Sequence, residues 1–369
     1  MAVGGLALSV QGQLFDNLEK FVDRVAVGDP SVSQGPEGPK GVALVDLDAD
    51  GKLDIATSNL DGTISLAYGR GGLAFDPAVL LRTASLTLRQ LVADDLNADG
   101  QPDLISAGPH EGLVHVYLNQ GDRRFVPAAP IEAFLTARNL ATGDFNGDGK
   151  QDVAVSGRRR GVVLYSGDGE GGFTEATDAG EELWAEDSEW GFRPVYSLET
   201  LRAPGAPTDQ LLVTHANTSF CWTLDGSGSI LGKEQLSHQA HSLKVGSINE
   251  SGTSADKTLG TIELRRLNAD AWTAGIPQLA PAPEQVIRVP GAPRDVEIAD
   301  LDNDGWNDLV VVLRNFDRVL TYKNEEGTLV ASSEMPVGTS PRELASGDLN
   351  DDGLMDFVVI NRLSQDVSA

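Results

Sequence analysis

Five acidic nonapeptides of the pattern DxDxDGxxD, with Asn able to replace the second Asp, are the residues of this chain best placed to do chemistry. They occupy 46–54, 95–103, 144–152, 300–308 and 348–356. Oxygen donors at loop positions 1, 3, 5 and 9, joined by the carbonyl of position 7, can surround a hard cation, while Gly at position 6 permits the sharp turn. That donor set favours Ca²⁺ over softer metals. The expected ligands are Asp46, Asp48, Asp50, the Lys52 carbonyl and Asp54, then Asp95, Asn97, Asp99, the Gln101 carbonyl and Asp103. The third loop offers Asp144, Asn146, Asp148, the Lys150 carbonyl and Asp152. The fourth offers Asp300, Asp302, Asp304, the Trp306 carbonyl and Asp308, and the fifth Asp348, Asn350, Asp352, the Leu354 carbonyl and Asp356.

An EF-hand opens in the same way but needs a bidentate Glu at position 12 and helices on both sides. Position 12 here is Thr57, Ser106, Val155, Val311 or Val359, and each loop runs into a short apolar, β-branched segment that reads as a buried strand. A metal-free Asp/Gly turn needs only one or two such residues, so five copies in one register argue for five Ca²⁺ sites.

The elements that position these loops follow from their spacing. The last Asp of successive loops is separated by 49, 49, 156 and 48 residues, and the long gap holds about three periods. Two hidden repeats are expected there, with degenerate loops near 199–209 and 247–256. Asp209 would take the ninth position of the first and Asp256 a place near the ninth of the second, and neither retains the triad needed for calcium. A Gly-rich turn ending in a large apolar residue marks the same period at Phe15, Phe75, Phe125 and Phe173. Each unit reads as four antiparallel strands, with the acidic loop between the first and second. The fold class is therefore all-β: a seven-bladed β-propeller of four-stranded antiparallel blades, filling residues 1–369 as one domain. The phase of the two markers predicts a last blade closed by strands from both termini, the first two from the C-terminus and the last two from the N-terminus.

These motifs resemble the FG-GAP/VCBS repeat family, which includes the integrin α-subunit propeller. The resemblance implies a seven-bladed propeller with calcium in the loops between first and second strands, and a ligand face opposite the calcium face. It does not fix a function.

A formal net charge of −27 disfavours nucleic acid as a partner. Much of that acidity belongs to the seventeen carboxylates of the five loops. Cys221 stands alone, so there is no disulfide framework, and no apolar run reaches membrane-spanning length, which argues against membrane insertion. Ordinary acidic loops fill at extracellular calcium levels, so an extracellular, periplasmic or cell-surface location is expected, although the N-terminus has no basic segment of a signal peptide.

A second regularity points to a ligand. Six residues before each acidic loop stands a basic residue: Lys40, Arg89, Arg138, Arg294 and Arg342. His241 and Arg193 hold comparable places in the hidden repeats. A basic ring at the mouth of a central channel, away from calcium, could bind a uronate, a sulfate or an acidic side chain. It could equally brace neighbouring blades. Trp184 and Trp190 lie on a long connection and could stack on a sugar or anchor a protein partner. No nucleophile elbow, HExxH or P-loop is present. The expected function is non-catalytic binding of a protein or glycan by a monomeric domain. A polysaccharide lyase, or a lectin with pockets between blades, is the alternative.

Overall fold

The computed structural model describes residues 24–26, 38–157, 161–178, 195–201, 207–215, 220–235, 239–246, 260–268, 271–276, 285–290 and 293–369, and the regular elements among them are all β-strands. Among the described residues the strands form seven antiparallel sheets. Sheet 1 runs Pro39–Val45, Asp54–Asn59, Thr63–Ala67, Val79–Arg82. Sheet 2 runs Leu91–Asp94, Asp103–Gly108, Leu113–Asn119, with Phe125–Pro127 and Ile131–Glu132 both pairing on the third strand. Sheets 3 to 6 begin with Ala137–Gly143, Val195–Leu201, Gln239–Gly246 and Pro293–Ala299 and each has four strands in sequence order.

Sheet 7 differs in origin. Pro341–Gly347, Asp356–Asn361 and Asp366–Ser368 supply its first three strands, and Arg24–Ala26 pairs outside Asp366–Ser368. The two termini thus share a sheet, as expected, but the third strand comes from the C-terminal segment rather than the N-terminal one. The sequence expectation missed it because Asp366–Ser368 is only three residues long, too short to show an alternating pattern.

Second strands such as DIATSN, DLISAG and DLVVVL are buried at every position. Their alternate side chains serve two different interfaces. Ile55 packs with Val358, Ile360 and Val367 of sheet 7, whereas Ala56 packs with Leu91, Leu104 and Tyr117 of sheet 2. Leu309 and Val311 likewise face sheet 5, and Val310 and Val312 face sheet 7. The core is therefore a series of layers between sheets. Along the inner edge each first strand neighbours the next, and Pro341–Gly347 in turn neighbours Pro39–Val45.

The hidden repeats are present as sheets 4 and 5, but their loops are phased differently from expectation. In sheet 1 Val45 pairs with Asp54, and in sheet 4 Leu201 pairs with Gln210. Gln210 therefore takes the ninth place and Asp209 falls one short. Its carboxylate instead accepts the Asp144 amide at 3.0 Å, and its own amide donates to the Asp144 carbonyl at 2.8 Å, tying sheet 4 to the third acidic loop. In sheet 5 Gly246 pairs with Gly260, so Gly260 holds the pairing position of the ninth Asp, fourteen residues on rather than nine. Asp256 lies outside the described residues. Among the described residues no helix is long and apolar enough to cross a membrane.

Candidate functional site

Each acidic loop is a hairpin turn closed by pairing of the residue before it with its ninth residue: Val45 with Asp54, Asp94 with Asp103, Gly143 with Asp152, Ala299 with Asp308 and Gly347 with Asp356. Inside the turn the position-1 carboxylate accepts the amide of the position-6 Gly at 2.8 to 3.0 Å in all five copies. The position-5 carboxylate accepts the amide of position 7, from Lys52, Gln101, Lys150, Trp306 and Leu354. The position-6 glycines hold φ of 79° to 94°, as the sequence requires. Position 4 is also left-handed: Ala49 and Ala98 at 59°, Asn303 at 58°, Asp351 at 62° and Gly147 at 81°. Nothing in the DxDxDG spacing announces that second demand.

The ninth Asp does more than offer an oxygen. Asp54, Asp103, Asp152 and Asp308 are buried, and one carboxylate oxygen accepts the position-2 amide, from Leu47, Leu96, Phe145 or Leu301, at 2.8 to 3.1 Å. The other accepts an amide at the end of the third strand: Gly69, Asn119, Gly167 or Asn324, at 2.7 to 3.0 Å. Burial pushes Asp54, Asp103 and Asp308 up to about 6 against the pull of those amides. It raises Asp152 and Asp356 as well. The ninth Asp is thus a strut between three strands.

The donors fit a hard divalent cation. Ligand atoms of Asp46, Asp48 and Asp54 lie within 4.8 Å of one another, as do those of Asp300, Asp302 and Asp304. In the other loops Asn97, Asn146 and Asn350 take position 3 and accept the position-5 amide at 3.0, 2.8 and 2.9 Å, the contact Asp48 makes at 3.3 Å. Side-chain cations already gather on these carboxylates. Arg123 reaches Asp48 at 2.7 Å and Asp76 at 2.8 Å while lying 4.1 Å over the Tyr68 ring, and Lys323 bonds Asp302 and lies 3.0 Å from Asp304.

At the opposite end of the same first strands, all five basic residues of the acidic-loop repeats line one cavity of about 530 Å³. The pairing registers explain how they get there. Pro39 pairs with Asn59 and Gly41 with Ser58, which leaves Lys40 as the extra residue of a β-bulge. Arg138 and Arg294 are extra residues in the same sense, and Arg342 lies with Glu343 in the bulge between Pro341 and Leu344. In sheet 2, Arg89 donates its amide to the Ala107 carbonyl while Ala107 donates to Gln90, so two residues face one. A bulge re-aims its extra side chain, and here it brings the basic residues to the cavity wall.

The residue after the bulge braces the next sheet. Gln90 Oε1 accepts the Leu140 amide at 2.8 Å and Asp295 Oδ2 the Leu344 amide at 3.0 Å. At the matching place in sheet 1 stands Gly41, where a Cβ would lie 2.4 Å from the Leu91 nitrogen. The cations repel one another. Burial, followed by the charges of Arg342, Arg362, Arg89 and Arg294, pushes the Lys40 ammonium down to about 6. Arg342 is lowered to about 9 by burial and then by Arg294, Arg314 and Arg362, with Glu343 pulling the other way. Arg314 and Arg362 were not among the expected ring residues. They stand just after the second strands of sheets 6 and 7, a position the six-residue rule does not reach.

The ring is not complete as expected. In sheet 4 the bulge falls between Val195 and Ser197, so Tyr196 takes the place assigned to Arg193. The expectation counted from Glu199, whereas the loop phase is set by Gln210. Arg193, Trp184 and Trp190 lie outside the described residues. His241 falls within the bulge of sheet 5 between Ala240 and Leu243, and only its backbone is described.

One trio has the residue types of nucleophilic catalysis. Ser85 Oγ lies 2.8 Å from Glu111 Oε2 and 2.7 Å from His115 Nε2. The single hydroxyl proton goes to Glu111, so His115 donates its Nε2–H to Ser85 and has no lone pair there to act as its base. Burial lowers the His115 pKa, in keeping with a neutral ring serving as a strut.

Stacked four-stranded antiparallel sheets whose first hairpins carry acidic nonapeptide loops define a propeller-like repeat protein. The FG-GAP-like repeat model matches residues 95–155 and 267–359, and over those two regions the chain carries FG-GAP-like repeats. No curated protein matches it in sequence. Among solved structures it is similar to BBS1N in complex with ARL6DN, at 12% identity over 94% of this chain and 95% of that one, with a TM-score of 0.56. It is similar to Raptor of Chaetomium thermophilum, at 11% identity over 95% of this chain and 28% of that one, TM-score 0.61. A lectin of Agrocybe aegerita that recognises non-reducing terminal N-acetylglucosamine matches at 15% identity over 88% and 86%, TM-score 0.51. At these identities the likeness concerns the fold alone.

Proposed function

We propose that the chain is a calcium-fastened, seven-bladed β-propeller that works by binding, holding a protein or glycan on the face opposite its acidic loops, outside the cytoplasm. The observation that carries this reading is the segregation of charge along the first strands. Acidic loops end them on one side, and basic bulges open onto an axial cavity on the other. Ring closure is supported by the contact of the first strands of sheets 7 and 1 and by the terminal strand shared within sheet 7.

Asp46, Asp48, Asp50 and Asp54, with their counterparts in the other four loops, would hold the ion. Bound calcium supplies the positive charge that clustered carboxylates need and cross-links one hairpin. A ligand that binds only the folded state raises stability by mass action. Thermal melts with calcium and with a chelator test the metal: a large fall in melting temperature on chelation is expected, and an unchanged melt removes structural calcium. Glycan-array binding in calcium, run beside an assay for unsaturated uronate products, tests the role. Binding without turnover supports a binding module, and ultraviolet-absorbing products from a polyuronate would make it a lyase.

A further inference from the structure

We propose that the axial cavity is a receptor for a compact polyvalent oxyanion, a sulfated or carboxylated saccharide of about disaccharide size, seated at the end formed by Lys40, Arg294 and Arg342. This deepens the binding reading above and rests on it.

Three observations converge. The first is geometric: a cavity of about 530 Å³ falls in the range that takes a small-molecule ligand, and its wall is polar and cationic. The second is an excess of positive charge, five cations against three carboxylates on the wall. Lys40 is only 6% exposed and Arg342 only 9%, and Arg342 Nε is buried with no hydrogen-bond partner. Three carboxylates also line the wall, Glu199, Asp295 and Glu343. Asp295 accepts the Leu344 amide, Glu343 leaves Arg342 depressed, and the charges that weigh most on Lys40 are those of four arginines. Arg314 and Arg362 add further positive charge beside Arg342.

The third observation separates a ligand site from mere bracing. The bulge explains why a side chain reaches the cavity, yet it does not require that side chain to be basic. In sheet 4 the same bulge forms around Tyr196. Cations at the other bulges are thus an addition to the architecture, and burying like charges together is costly unless a counter-charge enters. A sulfate or carboxylate can accept several charge-assisted hydrogen bonds at once from such a cluster.

The test is isothermal titration calorimetry of the full chain in calcium-containing, low-salt buffer. The probes are sucrose octasulfate, digalacturonate and neutral sucrose, each against wild type, Lys40→Met and Arg342→Gln. Thermal melts verify that each variant is folded. Arg318→Gln, whose side chain and partner Glu334 are both exposed, controls for surface charge. At least one anion is expected to bind at one site per chain, with sucrose silent. Both cavity variants should weaken it about tenfold or more, the scale of one lost charge-assisted hydrogen bond, and Arg318→Gln should not. Preference for the octasulfate or for the uronate identifies the source of the oxyanion. No anion binding, or binding that both cavity variants leave intact, overturns the proposal. Binding of a neutral glycan or a protein alone would remove this inference and leave the binding reading standing. Turnover of bound digalacturonate would keep the site and remove the non-catalytic reading.

Discussion

Replacing Lys40 with Met is expected to stabilise the anion-free protein, an unusual outcome for losing a charged residue. The ammonium titrates near 6 in the folded chain against 10.5 for the free side chain, because it is buried and ringed by arginines. Between those two values the unfolded chain binds the extra proton, so stability rises with pH, and Lys40 opposes folding most strongly below about pH 6. At about pH 7.5 the anion-free folded lysine is mostly neutral and would regain its proton as an anion enters, so without anion the cost of folding is that of removing that proton. Three pH units at about 1.4 kcal/mol each give about 4 kcal/mol. That figure is a ceiling, since local relaxation and water entry reduce such penalties. Met keeps the length and apolar body of the side chain without the charge. Urea denaturation of both proteins in calcium, without multivalent anions, from about pH 6 to about pH 10 is the assay. The variant should be more stable by up to about 4 kcal/mol at pH 7.5, and its advantage should shrink as pH rises toward the ordinary lysine value. An advantage that does not change with pH, or a less stable variant, would refute the placement of Lys40 in a buried cluster with excess positive charge.

Three further outcomes follow from the loops and the inner edge. Asp103→Ala removes an acceptor from the Leu96 and Asn119 amides. It should cost about 3 kcal/mol or more, and a loss that persists in chelator, read by urea denaturation, separates the strut role from metal ligation. Ala98→Gly relieves a left-handed Ala at φ 59° and should add about 1 kcal/mol of stability, whereas the same change made at Ala56, a buried strand residue, should destabilise. Gly41→Ala drives a Cβ to within 2.4 Å of the Leu91 nitrogen. It should cost about 1 to 3 kcal/mol through displaced backbone, and a melting temperature equal to wild type would show that the two first strands are not held that closely.

The acidic loops and the strands after them were legible because their information is local: DxDxDG fixes a turn, and the β-branched run behind it fixes a doubly buried strand. The six-residue spacing of the basic positions was also legible, but not its cause. A bulge is a property of register between two strands, so only the pairing of Pro39 with Asn59 and Gly41 with Ser58 reveals it. Arg193 was misplaced for the same reason. With the Asp triad lost, the phase of sheet 4 could be read only from Leu201 facing Gln210. Asp366–Ser368 escaped notice because three residues carry no period. The ninth Asp was readable as an oxygen donor, while its hold on the third strand, fifteen or sixteen residues away, was not.

The two charge clusters pose separate electrostatic problems, and distance keeps them separate. Lys40 and Asp46 bracket one extended strand, so about 20 Å divides them at 3.3 Å per residue. At that range a pair of unit charges interacts by less than about 1 kcal/mol at a protein-surface dielectric, and the solvent-exposed part of the field is screened within about 10 Å. The acidity of the loops therefore cannot neutralise the cavity, even in a chain of net charge −27. On the readings proposed above, each end of the first strands takes its own counter-ion, a cation for the carboxylates and an anion for the bulged lysine and arginines. Calcium bound as proposed would act on the anion site through the rigidity of the hairpins it fastens rather than through its charge. Partial chelation that leaves the fold intact should accordingly leave anion affinity nearly unchanged, whereas a direct electrostatic link would strengthen anion binding as calcium loads.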